Sequence, residues 1–436
     1  MTEDALAPSE APLARQLLPD SAAISPDGHL SLAGLDVVEL AERFGTPVFI
    51  YDEDHLRRRC AEAVAAFPDG VAYATKAFLC KAMAAIALEA GMDLDVSTAG
   101  ECAVALAAGA PVDRLILHGN NKSSDELAIA GTEVPGRYKR IVVDSFDEIE
   151  RLAALAPHPL GPRPVLVRVT PGVQAHTHEY VMTGHEDTKF GFSVASGAAD
   201  AAVEALGELG SVALVGVHAH IGSQIFRLDG YERAMAVLAR FVAQHRLTEL
   251  CVGGGLGVGY LNGEQTPRLE EWAAHLRAAA AASGLPEGVR MTAEPGRAIV
   301  ASAAITAYRV GTIKALPGIR NYVAVDGGMS DNPRPVLYGS GYEAFLARAV
   351  DAERPFRARV VGKHCESGDV LVADARLPDS VRVGDILATP VTGAYGHSMA
   401  SNYNRLGRPP VVFVRGGSAR VVVRRETPED LLALEA

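Results

Sequence analysis

Cysteine is scarce in this chain: five residues in 436, odd in number and with no Cys-x-x-Cys pair. That count excludes a disulfide framework and fits a reducing, cytoplasmic setting. No apolar run reaches the roughly 18 residues that a membrane span needs. The acidic N-terminus lacks the apolar core of a signal peptide. Basic residues form no block, and 53 acidic side chains outnumber 41 basic ones, so a nucleic-acid partner is not expected. No G-x-G-x-x-G follows the first apolar strand, which weighs against an open dinucleotide-binding sheet.

What is present is a rhythm. A hydrophobic share of 48% with scattered Gly and Pro marks an ordered globular protein, and the length suits one large barrel plus a smaller unit. Residues 1–25, rich in Ala, Pro and acidic side chains, predict a loose arm. Residues 26–50 predict a short segment of strand and helix that packs with the β domain. From Val71, apolar strands fall near 71–75, 93–96, 114–117, 141–144, 165–169, 213–219, 249–253 and 290–293. Helical patterns such as Lys81 to Ala90, Ala99 to Ala108, Asp147 to Ala154 and Ala199 to Leu209 fill most gaps. Eight such alternations predict a (β/α)8 barrel over 51–305. Beyond 305 the period drops to two, at 306–314, 320–326, 357–363, 381–388, 411–415 and 419–424. That predicts an all-β barrel or sandwich domain over 306–436.

A barrel collects function where its strands end. Lys76 ends the first strand, in Val71-Ala-Tyr-Ala-Thr-Lys-Ala-Phe78. A lysine there either snorkels to solvent or presents its amine to an aldehyde. Cys251-Val-Gly-Gly-Gly-Leu-Gly257 follows strand seven, where backbone N–H groups can approach a phosphate; Ser223 after strand six could add a hydroxyl. Glu294-Pro-Gly-Arg297 follows strand eight. A carboxylate there could keep a pyridine nitrogen protonated and the arginine could bind an anion; a structural ion pair is the alternative. His220 could stack on a cofactor ring, while His218 reads as a satisfied core histidine. The segment from His176 to His185 lacks a firm zinc spacing and reads as a substrate-covering loop, with no metal expected. The β domain carries three polar clusters: Asp326 to Tyr338, Cys365-Glu-Ser-Gly-Asp369, and Gly393 to Asn404. Cys365 is either a proton donor or an inert thiol.

These motifs, from Tyr73-Ala-Thr-Lys-Ala-Phe78 to Gly393-Ala-Tyr-Gly396, lie in one order over residues 30–425. In that order they resemble the pyridoxal 5'-phosphate (PLP)-dependent decarboxylases of the alanine-racemase fold. The clusters at 326–338 and 365–369 point to the branch that acts on diaminopimelate. The resemblance implies that Lys76 holds the cofactor's aldehyde and that His220 lies over its ring. Ser223, Gly255, Glu294, Pro295, Gly296, Arg297 and Tyr395 complete the cofactor site, with Glu294 at the pyridine nitrogen. Arg297, Arg334, Tyr338, Glu366 and Tyr395 grip the substrate, and Cys365 returns the proton. It further implies decarboxylation of meso-2,6-diaminopimelate to L-lysine, and a homodimer whose cysteine loop serves the neighbouring subunit's site. A same-fold decarboxylase of ornithine, lysine or carboxynorspermidine, and a non-catalytic PLP-binding relative, are the alternatives. His397 departs from the pattern, where an aromatic is more usual.

Overall fold

The computed structural model describes residues 11–132, 136–173 and 188–436. The predicted loop from His176 to His185 lies outside them. The chain divides into two compact units: residues 59–257 with 267–298, and residues 1–58 with 258–266 and 299–436.

The first unit is a parallel barrel. Its strands are β1 (Ala72–Ala74), β2 (Asp93–Val96), β3 (Leu115–Leu117), β4 (Arg140–Val143), β5 (Arg163–Thr170), β6 (Val212–His218), β7 (Glu249–Cys251) and β8 (Arg290–Thr292). Each pairs with the next, and a parallel bridge from Val71 to Ala293 joins the last to the first. All eight lie where the apolar runs put them. Ala72, Ile116, Val142, Leu166 and Cys251, from five strands, pack into one cluster. Strands this short hold because each is paired with a neighbour on both sides within the barrel.

Several polar residues at the strand ends serve the helices that follow. The hydroxyls of Thr98 and Ser145 accept from the backbone N–H of Glu101 and Glu148, at 3.2 and 3.3 Å, and so cap helices Ala99–Ala107 and Phe146–Ala154. Lys122 is fully buried; its ammonium lies 2.8 Å from Glu148 and donates to the carbonyls of Gly119 and Val142 at 2.7 and 2.5 Å. This pair holds the loop after β3 against β4.

In the second unit the strand Val48–Asp52 is buried throughout, between Ala304–Leu316 and Val411–Arg415. Residues 51–58 and 299–305, at the two ends of the barrel predicted over 51–305, belong to this unit. Ala304–Leu316 pairs with Ile386–Pro390 along its first half and with Arg320–Val325 along its second, with a register shift between Val310 and Thr312. Two expectations need correction. Val370–Leu377 is a strand that the period-two pattern missed, and 381–385 is a turn in which the Asp385 carboxylate accepts from the Arg382 N–H at 2.9 Å. The arm is also not loose from Ala11 onward. Leu13, Leu17, Leu18 and Ala22 are buried, and Arg354 donates to the Ala11 carbonyl at 2.8 Å.

The polar clusters of this unit are partly structural. Buried Asp331 accepts from the Tyr308 hydroxyl at 2.6 Å and from the Gly328 N–H at 2.8 Å. Burial outweighs these bonds and pushes its carboxyl up to about 7. A folded value above the unfolded one means the folded form binds the extra proton. That stabilisation is full below the unfolded value and is lost as pH rises through about 7. Between pH 5 and 8 the wild type should lose about 1–3 kcal/mol relative to Asp331→Asn, beyond any constant offset. Urea denaturation of both proteins across that range checks this, and parallel curves would contradict it.

Candidate active site

At the carboxyl ends of the barrel strands the chain assembles one connected polar group. Lys76 follows β1 in a single 3-10 turn, Thr75–Ala77, and its side chain is exposed. The turn is pinned from below: the Thr75 hydroxyl donates to the Asp95 carbonyl at 2.7 Å, and the Tyr73 hydroxyl to the Phe78 carbonyl at 2.6 Å. The ammonium is close enough for its charge to act on Asp95, Glu101 and His220.

Glu294 is buried just past β8. One carboxylate oxygen lies 2.9 Å from His118 Nε2 and the other 3.0 Å from His218 Nε2. Burial disfavours its charge, but the His118 charge and the two histidine bonds outweigh burial and hold Glu294 well below the usual carboxylate range. Asp95, also buried, lies 3.7 Å from His118. Burial pushes Asp95 up to about 6, with Glu294 adding to the rise. His118 itself is raised: burial opposes its charge, and Asp95 and Glu294 overcome it. His218 is buried, as expected from sequence, and its partner is Glu294. His118, His218 and Glu294 also bring three ligating atoms within 4.8 Å of one another. With both Nε2 atoms at hydrogen-bond distance from the carboxylate, we read the group as a proton network.

His220 is half-buried and is oriented by the glycine run, because the Gly254 N–H donates to its Nδ1 at 3.1 Å. Burial first, and then the Lys76 and Arg168 charges, push its pKa well below the ordinary histidine value. A Cβ at Gly254 would meet the Glu294 carbonyl at 2.4 Å, and one at Gly255 would meet the Gly222 carbonyl at 2.4 Å. The loop can thus lie against the segments after β6 and β8 only because it is glycine. Arg297 is buried and donates to the Ser223 hydroxyl at 3.1 Å. Pro295 and Gly296 bring this segment against β1: Ala74 N–H donates to the Pro295 carbonyl at 3.3 Å, and a Cβ at Gly296 would lie 2.9 Å from Ala74.

The substrate candidates lie in the second unit. Arg334 is buried at the start of the short helix Arg334–Tyr338. Its guanidinium lies 4.5 Å from the centre of the Tyr260 ring and donates to the Tyr342 hydroxyl at 2.7 Å. Among the described residues no carboxylate lies within salt-bridge distance of it. Tyr260 and Tyr342 were missed by sequence reasoning; neither sits in a motif, and no local signal marks them. Tyr338 is half-buried, as is Tyr395, which has a positive φ of 59°. Cys365 and Glu366 lie exposed on a turn, and neither pairs with Arg334. The turn itself is fixed. Asp369 accepts from His364 N–H at 2.8 Å, the His364 ring lies 2.8 Å from the Ser330 hydroxyl, and Cys365 N–H donates to Asn404 at 3.4 Å. His397 packs edge-on to Phe49, centroids 5.7 Å apart, and burial lowers it to about 4. It fills an aromatic position as a neutral ring.

Comparison with known proteins identifies the family. The family model described as the pyridoxal-binding domain of pyridoxal-dependent decarboxylases matches residues 53–301. Diaminopimelate decarboxylase of Mycobacterium tuberculosis is 48% identical over 428 residues, covering 94% of this chain and 95% of that protein. The crystal structure of diaminopimelate decarboxylase from M. jannaschii in complex with L-lysine superposes with a TM-score of 0.87 at 30% identity, covering 96% of this chain and 98% of that one. The Helicobacter pylori enzyme, also with L-lysine, gives a TM-score of 0.81 at 29% identity, covering 91% and 98%. The chain belongs to the pyridoxal-dependent decarboxylases and, within that family, to the diaminopimelate decarboxylases.

Proposed function

We propose that this protein decarboxylates meso-2,6-diaminopimelate to L-lysine and CO2 with PLP bound at Lys76. The observation that carries the reading is Glu294, held as a buried anion at the same barrel mouth as the Lys76 amine. The donor set fits the cofactor. An exposed amine suits its aldehyde, an anionic carboxylate its pyridine nitrogen, and a hydroxyl–guanidinium pair beside a glycine run its phosphate.

When bound, PLP would supply an electron sink for the pair left behind by CO2. The chain's own work is positional and electrostatic. Lys76 would hold the aldehyde carbon, and His220, a neutral ring, would cover one face. Ser223, Gly255, Arg297 and Tyr395 would hold the phosphate, with Pro295 and Gly296 shaping the cradle. Glu294 would keep the ring nitrogen protonated. Arg297, Arg334, Tyr338, Glu366 and Tyr395 would hold the substrate's two amino-acid ends, with Arg334 on the carboxylate that is retained. Cys365 Sγ would return the proton to the carbon that lost CO2. Its exposed turn, unpaired with Arg334, supports a homodimer in which the turn serves the partner's site. Five free thiols suit a cytoplasmic enzyme, and among the described residues no helix is long and apolar enough to cross a membrane.

Purified protein supplied with PLP and meso-diaminopimelate should release L-lysine and CO2 in equal amounts. Cadaverine or putrescine from lysine or ornithine, with no lysine from diaminopimelate, would overturn the assignment. Borohydride trapping and peptide mapping should mark Lys76.

A further inference from the structure

Glu294 has two histidine partners from two different strands, and their geometry assigns their protons. His118 Nε2 and His218 Nε2 address opposite oxygens of one carboxylate, at 2.9 and 3.0 Å. The rings cross edge-on, with centroids 4.9 Å apart and planes at 73°. His218 Nδ1 is buried with no hydrogen-bond partner among the described residues. A charged ring would bury an N–H there with nothing to accept it, so His218 is neutral and donates from Nε2. His118 Nε2 faces two carboxylates, Glu294 at 2.9 Å and Asp95 at 3.7 Å. Arg168 and His218 are the other ionisable groups acting on it. A single ring nitrogen between two buried carboxylates keeps its proton.

We propose that His118 and His218 are positioning residues that fix the plane of Glu294 and keep it anionic, so that the ring nitrogen of bound PLP stays protonated. The inference rests on the assignment of Glu294 made above. Each carboxylate oxygen has two acceptor sites, and each histidine takes one, which leaves capacity for the cofactor's N–H. Without His118, Asp95 and Glu294 would face each other as a buried carboxylate pair, and such pairs share one proton. A Glu294 that holds that proton cannot stabilise a protonated pyridine. His218, bonded to the second oxygen, restrains rotation of the carboxylate.

The test uses the holoenzyme and two variants of one position, His118→Leu and His118→Gln. His118→Leu should lower kcat by roughly 10- to 100-fold with a KM change under about threefold. It should also move the pH at which the cofactor's visible band changes to lower values and speed PLP release. His118→Gln, which restores an N–H near the same place but no charge, should recover only part of each loss. On the cofactor-free wild type, 15N NMR should find His118 protonated and His218 neutral at pH 7. If wild type fails to take up PLP at Lys76, the functional reading has failed. If it takes up PLP and His118→Leu keeps kcat, band and release rate, the positioning role is wrong. Should His118→Leu not fold, the NMR measurement decides, and a neutral His118 at pH 7 overturns the proposal.

Discussion

Replacing Arg334 with Ala is expected to lower kcat/KM for meso-diaminopimelate by roughly three orders of magnitude, the ~3–5 kcal/mol that follows removal of one partner from a buried ion pair. Arg334 is buried, yet its direct partners are two tyrosines: the Tyr260 ring and the Tyr342 hydroxyl. Taking a guanidinium out of water costs several kcal/mol. A cation–π contact of about 2 kcal/mol and one hydrogen bond offset only part of that. Burial opposes the charge, but the tyrosines hold the arginine firmly cationic. An incoming carboxylate would complete the compensation, and meso-diaminopimelate keeps one after CO2 leaves. That contact is present in both ground and transition states, so most of the loss should appear in KM rather than kcat. L-Lysine, offered as an alternative substrate, lacks the second carboxylate, and Arg334→Ala should handle it no worse than wild type does. Steady-state kinetics on both substrates check this. Near-normal kcat/KM for diaminopimelate in the variant would remove Arg334 from the substrate site.

How much of this was readable beforehand depended on whether a signal was local. All eight barrel strands were, because a parallel strand is a short apolar run that breaks sharply into a loop. Lys76 and the glycine run were readable for the same reason: each carries its meaning within a few residues. The strand Val370–Leu377 was not. Register shifts around Ala358, Val360 and Val361 on its partner interrupt the pairing, and its burial does not alternate. The clamp on Glu294 was out of reach for a different reason. His118 lies 176 residues from Glu294 and His218 lies 76, so only barrel closure brings three separate strand ends to one point. Tyr260 and Tyr342 are likewise 74 and 8 positions from Arg334, and nothing in either neighbourhood distinguishes them from core aromatics. Inside the polar clusters, Asp331 and Asp369 carry structure: their carboxylates accept from backbone N–H groups of the turns at Gly328, Met329 and His364, a role that residue type alone does not reveal.

Mixing two inactive variants, Lys76→Ala and Cys365→Ala, should restore about one quarter of wild-type activity if the cysteine turn serves the neighbouring subunit. Each variant alone lacks one essential group at every site. Lys76→Ala has no amine for the cofactor, and Cys365→Ala has no thiol to return the proton; loss of a general acid alone costs typically 10²–10⁴-fold. After subunit exchange about half of the dimers are mixed. In a shared-site dimer, each mixed molecule has one site with both substitutions and one with neither, and half of one half is a quarter. If instead each site drew Lys76 and Cys365 from the same chain, every site in a mixed dimer would keep exactly one defect and no activity would return. A physical argument supports the proposed shared site. Cys365 and Glu366 are exposed, yet the turn that carries them is held at four points, by Asp369, Ser330, Asn404 and the Glu366 carbonyl. An exposed turn has no need of that rigidity for its own packing, but a proton donor reaching another chain's substrate does, since a displacement of about 1 Å at a reacting atom costs on the order of 10²-fold in rate. Recovery near a quarter, growing with incubation time as subunits exchange, supports the shared site; a mixture that stays at the level of its two components refutes it.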